Sequence, residues 1–220
     1  MATGLRLSTA ALATILVAAL FGLAYEHPLD SHSIRKAYFL GRSSDGKAAR
    51  FLAQYVKRLP LPKSGPHVAE IELRTPYEQV VVRASQVSGS YSAQQAEQDY
   101  RDHPDLILVR VRINLTPTYP AIIADPSRGK GQVRERPDDF WRYFKIRVLQ
   151  GGEVRPNRTS GRALFQSGLS SPRVIGDVML GAEVLLEFGP AQIRSEPTKI
   201  EVLAPDGQSV EAEFDLKELR

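Results

Sequence analysis

TKIEVLAPDGQSVEAEFDL, residues 198–216, is two alternating runs that meet at Pro205-Asp206-Gly207. Proline presets the φ angle of a turn and glycine accepts a positive one, so the tripeptide predicts a hairpin. Ile200 and Val202 then share a buried face with Val210, Ala212 and Phe214. Apolar residues at every second position leave one face for a core and one for water, the pattern of an antiparallel sheet.

The same period recurs upstream. LILVRVRINL (106–115) sets Ile107, Val109, Val111, Ile113 and Leu115 against Arg110, Arg112 and Asn114, and VAEIELR (68–74) sets Ala69, Ile71 and Leu73 against Glu70 and Glu72. FKIRV (144–148) and VLLEF (184–188) alternate likewise, and Gly151-Gly152 marks a second hairpin between Leu149 and Val154. With YEQVVVRA (77–84) read as a further strand, eight to ten short strands separated by turn signals predict an antiparallel β-sandwich. Immunoglobulin-like wiring is one form of that architecture. Its cysteine–tryptophan–cysteine hallmark is missing, because the chain has no cysteine. If the VAEIELR and LILVRVRINL strands are neighbours, Glu70 and Glu72 face Arg110 and Arg112 as cross-strand pairs of about 0.2–1 kcal/mol each.

Helical spacing is confined to three places. Asp45 can cap a helix through KAARFLAQYVKRL (47–59), which Pro60 and Pro62 stop. HSIRKAYFLG (32–41) predicts a shorter helix ending at Gly41. In SYSAQQAEQDYRDHPD (90–105), Ser92 and Gln95 have capping-box spacing, Tyr91 and Ala96 that of a hydrophobic staple, and Pro104 ends the run. This segment reads as a connecting helix. LPLPKSGP (59–66) reads as a semi-rigid linker, giving a helical region and linker over 25–66 and the sandwich over 67–220.

Residues 1–24 stand apart. Arg6 precedes a charge-free run from Leu7 to Tyr25, with small residues Gly22 and Ala24 at its end, the pattern of a secretory signal. The run is also nearly long enough to cross a hydrocarbon layer of about 30 Å. Two expectations follow: a periplasmic or secreted protein cleaved after Ala24, or an uncleaved anchor in the inner membrane that touches lipid only through residues 7–25. The lack of cysteine excludes disulfides, thiolate metal sites and a cysteine nucleophile. The net charge of +4 is spread along the chain. Dispersed charge is a poor footprint for nucleic acid.

Catalytic motifs are missing. There is no GxSxG, SxxK or HExxH, and Gly129-Lys130-Gly131 is too short for a phosphate cradle. His27, His32 and His67 lie near the leader or the linker. Asp99 and His103 share a helix face without a third ligand, and Asp138-Asp139 beside Pro137 reads as a turn. No catalytic residue, cofactor or metal is assigned. TPTYPAIIADPSRGKGQVRERPDD (116–139) holds no sustained period and carries Tyr119, Arg128, Lys130, Arg134 and Arg136, followed by Phe140-Trp141. RPNRTSGR (155–162) adds Arg155, Arg158 and Arg162. Should both segments meet at one end of the sandwich, they would make a basic, aromatic rim for an envelope protein or an anionic glycan or lipid surface. The expectation is a non-enzymatic binding or structural module of the bacterial envelope. Its rivals are an envelope hydrolase whose site assembles only in three dimensions and a membrane-tethered accessory subunit.

Overall fold

The computed structural model describes residues 27–87, 89–125, 127, 132–167 and 177–220, so the expected signal or anchor at 1–24 lies outside them. Among the described residues no helix is long and apolar enough to cross a membrane. The protein is mainly β, with antiparallel sheets and few helices.

The hairpin at the C-terminal end forms as its turn residues require. β10 (Pro197–Leu203) pairs with β11 (Ser209–Asp215), with Ile200 opposite Ala212 and Val202 opposite Val210. Gly207 takes φ +86°, which a Cβ would oppose. β6 (Lys145–Leu149) joins the other side of β10, and β7 (Glu153–Val154) pairs with Val148 and Leu149 through the Gly151-Gly152 hairpin. The buried Gln150 amide donates to the carbonyl of Arg194 at 2.8 Å and to Thr198 Oγ1 at 2.7 Å, and accepts from the Arg194 amide at 3.0 Å. Each of these polar groups is therefore satisfied where water is excluded.

The larger sheet has the order β1-β2-β3-β9-β8, built from β1 (Val56–Arg58), β2 (His67–Arg74), β3 (Ile107–Asn114), β9 (Asp177–Phe188) and β8 (Arg158–Ser167). Both sheets bury their alternating residues in one core: Ile71, Val109, Val111, Val184 and Leu186 from the first meet Val148, Ile200, Val202 and Phe214 from the second.

Three stretches depart from the sequence reading. YEQVVVRA lies within α3 (Pro76–Gln86) and is not a strand. Thr75 accepts from the Glu78 amide and Pro76 takes the first turn, while Tyr77, Val80, Val81 and Ala84 fall on one buried face. Capping and the helical period outweigh the strand preference of three valines. Two helices, not one, therefore connect β2 to β3, the second being α4 (Ala93–Asp102) with both halves of the Ser92–Gln95 capping box formed.

KAARFLAQYVKRL is helical only over α2 (Lys47–Leu52) and a 3-10 turn, Ala53–Tyr55. Val56–Arg58 instead pairs with Glu70–Glu72, so sheet hydrogen bonds and burial of Tyr55 replace the last helical turn. The proline-rich stretch 59–66 thus joins two adjacent strands. α1 (Ser31–Gly41) packs on α3 and α4, burying Ile34 and Ala37 against Tyr77, Val80, Val81 and Ala96. Gly41 lies so close to Val81 and Ala84 that a Cβ would not fit.

The third departure is in residues 116–139. The stretch folds partly into a ribbon, β4 (Ile122–Ala124) against β5 (Val133–Glu135), with Ile123 opposite Arg134.

Candidate binding groove

β8 is the outermost strand of the larger sheet, and among the described residues only β9 pairs with it along its ten residues. Its side chains alternate. Arg158 and Arg162 point to the outer face, where they approach Glu187 at 3.8 Å and Glu183 at 3.1 Å. Thr159 faces the other way, beside Val184 and Leu186, and the Gly161 backbone lies directly on the indole of Trp141. A Cβ on Gly161 would overlap that ring, so glycine is what admits the tryptophan.

Trp141 belongs to a 3-10 turn, Phe140–Tyr143, that leads into β6. Phe140 is fully buried and fixes the turn; its ring packs against Phe144 and Tyr119. The turn places Trp141 and Arg142 at the side of the molecule where the two sheets part. An open groove of about 460 Å³ runs there, lined by Trp141, Arg142, Phe144, Lys145, Ile146 and Thr159, with Pro156, Val184 and Leu186 completing it. β7 pairs only with Val148 and Leu149, so among the described residues the edge of β6 from Lys145 to Arg147 has no partner strand on this side. The groove therefore lies between two sheet edges. Its lining joins apolar and aromatic side chains to the cations Arg142 and Lys145; Arg155 adjoins Pro156 of the lining, and Arg158 and Arg162 stand on the outer face of β8. Arg142 reaches Asp139 at 3.3 Å; Lys145 and Arg155 are exposed.

The expected rim is divided. Of the expected residues only Trp141 lines the groove; Arg155 adjoins Pro156 of its lining, while Arg158 and Arg162 stand on the outer face of β8, on a strand and not on a loop. RTSGR looks like a turn by its serine and glycine; ten residues of pairing with β9 override that preference. Tyr119, Arg134 and Arg136 sit apart. The Arg136 guanidinium stacks 3.6 Å from the Tyr119 ring centre and donates to the Pro120 carbonyl at 2.9 Å, which makes this pair a brace for the ribbon. Arg134 is exposed on β5. Arg128 and Lys130 lie outside the described residues. Arg142 and Lys145 were missed as groove residues, because their position depends on which strands lie at the sheet edges.

The other polar constellations have structural partners. Asp99 pairs with Arg83 at 2.9 Å, while the His103 ring contacts the carbonyl of Asp99 at 2.7 Å, so the two side chains form no acid–base dyad. Asp138 and Asp139 occupy a turn, as read. Glu70 and Glu72 do face Arg112 and Arg110, and Arg110 gathers Glu70 at 2.9 Å, Glu72 at 2.5 Å and Glu183 at 2.9 Å. Burial opposes ionisation of Glu183, yet the hydrogen bond and charge of Arg110, with Arg162 adding to them, hold its carboxyl below the usual range. Behind this cluster Glu78 is fully buried on α3, and one of its oxygens has no hydrogen-bond partner. Among the described residues no group of three or more histidines and carboxylates is arranged to hold a metal.

Compared with known proteins, the chain matches no family model and no curated protein resembles it closely enough to count as a relative.

Proposed function

We propose that this chain is a non-enzymatic binding module of the bacterial envelope, its two sheets forming a β-sandwich whose open side takes up an acidic protein partner. One observation carries the reading. The groove beside β8 joins an apolar floor to a cationic border, and its lining holds no carboxylate or imidazole to move a proton. Binding sites of this kind combine apolar burial with a few placed polar groups. A concave floor of Trp141, Ile146, Val184 and Leu186 suits side chains better than it suits the flat array of a lipid headgroup surface. The envelope address rests on residues 1–24; a mature N-terminus at Tyr25 in the intact mass would support export with cleavage.

Site-specific photocrosslinking in the producing cell tests the binding role. A crosslinking residue at Lys145 or Arg158 is expected to give one discrete adduct, and the same residue at Glu211, on the far hairpin, none. The Lys145 adduct should vanish in R158E/R162E, a variant that still unfolds cooperatively in urea. Equal labelling from all three positions, or none from any, overturns the proposal.

A further inference from the structure

We infer that the partner binds as an extended strand added to the free edge of β8, with acidic and apolar side chains in alternation. The inference rests on the reading of the groove as a binding site. Three features of the structure lead to it.

First, β8 is ten residues long, contains no proline, and among the described residues pairs on one side only. Natural sheets blunt such edges, because a row of unpaired N–H and C=O groups is a template for another strand. The other outer strands of the two larger sheets are shorter. β1 has three residues and β7 two, while β11 carries Glu211 and Glu213 along its length. Among the described strands β8 is the longest edge; it too carries charge, Arg158 and Arg162, and a register shift between Leu164 and Phe165, and the sign of that charge favours an acidic strand.

Second, the space beside that edge is shaped for what an added strand would bring. Side chains of a strand point alternately to its two faces. On a strand next to β8, one set would lie on the outer face beside Arg158 and Arg162. The other set would enter the groove beside Thr159 and Gly161 and meet Trp141 and Ile146. Backbone pairing supplies affinity in this mode, and the pockets for alternate side chains supply selectivity.

Third, charge selects the occupant. Arg158 and Arg162 are 70% and 72% exposed, each with one distant or single-contact carboxylate on β9. A second copy of β8 would set arginine rows side by side, which like-charge neighbours across strands disfavour. An incoming strand with Glu or Asp on its outer row meets both cations.

The test uses the full chain and four labelled synthetic ten-residue peptides. The first alternates Glu and Val. The second has the same composition with the five Glu and five Val in separate blocks. The third and fourth are the alternating peptide N-methylated at every Glu or at every Val, which removes the donors from one edge or the other. Fluorescence anisotropy is expected to rank the alternating peptide at least tenfold tighter than the blocked one, and N-methylation on the edge that meets β8 should abolish binding. Backbone amides within 158–167 should exchange more slowly in the complex, and R158E/R162E should weaken it at least tenfold. Binding that survives N-methylation on either edge, with β8 exchange unchanged, overturns strand addition while leaving the groove reading intact. Failure of every peptide to bind, with the photocrosslinks at Lys145 and Arg158 still present, does the same. Failure of peptides and photocrosslinks together overturns both.

Discussion

Arg110 and Arg162 hold opposite oxygens of the same carboxylate, Glu183, at 2.9 and 3.1 Å, and yet belong to different parts of the protein's physics. Arg110 stands on a central strand, is 22% exposed and is held by three glutamates. Arg162 stands on the edge strand, is 72% exposed and holds one. A guanidinium in the sheet's middle has surrendered its water and must keep its partners; one at the edge keeps its water and can exchange partners. Position in the sheet, not residue type, separates the scaffold arginine from the one proposed for recognition.

The sharpest test of that contrast is to remove the inner charge. R110M leaves Glu70, Glu72 and Glu183 without their shared cation, and breaking a buried pair from one side costs about 3–5 kcal/mol. Urea unfolding should show it, and a loss below about 1 kcal/mol would mean that the cluster is solvated and the contrast false.

The second test moves to Glu78, which lies behind the same cluster. Burial pushes its carboxyl up to about 8, with Arg74 opposing and Glu72 adding to the rise. The folded protein therefore keeps a proton that the unfolded chain releases near 4.5. Between those two values the native state binds more protons, so stability falls as pH rises through the window and levels off above it. E78Q cannot ionise. Its advantage over the wild type should grow from pH 5 to pH 9 by a few kcal/mol, at about 1.4 kcal/mol per pH unit at most. Parallel urea midpoints for the two proteins across that range would show that Glu78 does not keep its proton.

At the edge the effects are smaller. G161V drives a side chain into the Trp141 indole, an overpacking expected to cost about 1–3 kcal/mol. The chain has one tryptophan, so its emission reports directly: a red shift is expected as the ring leaves the groove for water. An unshifted spectrum would mean that Trp141 does not rest on Gly161. Smallest of all, R162M should change stability by about 0.2–1 kcal/mol, the range of an exposed pair. Against R110M this is the other half of the comparison. If R162M proved as damaging as R110M, the edge arginine would be scaffold, and a recognition role for it would fail.

Much of the scaffold was legible from residues alone. The Pro205-Asp206-Gly207 hairpin, the Ser92–Gln95 capping box and the inward rows of β3, β6, β9, β10 and β11 follow from periods and caps that act over a few residues. The pairing of Glu70 and Glu72 with Arg112 and Arg110 followed once those strands were taken as neighbours. α3 was misread because Val80, Val81 and Val82 carry a strand preference, although Thr75-Pro76 ahead of them is a helix start. β1 was misread because Val56–Arg58 continues a helical spacing, and only the backbone of β2 draws it out. The site was half visible. Trp141, Arg155, Arg158 and Arg162 stand in the basic and aromatic segments that the sequence sets apart, whereas Arg142 and Lys145 look like ordinary surface charge.

What the sequence by itself determined is which residues face in and which face out, since that depends on side-chain period and local turn chemistry. Which strands stand at the edges was decided only by the tertiary structure. Strand order is set by pairing between segments as far apart as Ile107 and Phe188, and no local spacing records it. With strand order came the groove, because an open edge is a property of what is not beside a strand, and that is known only once every strand has been placed.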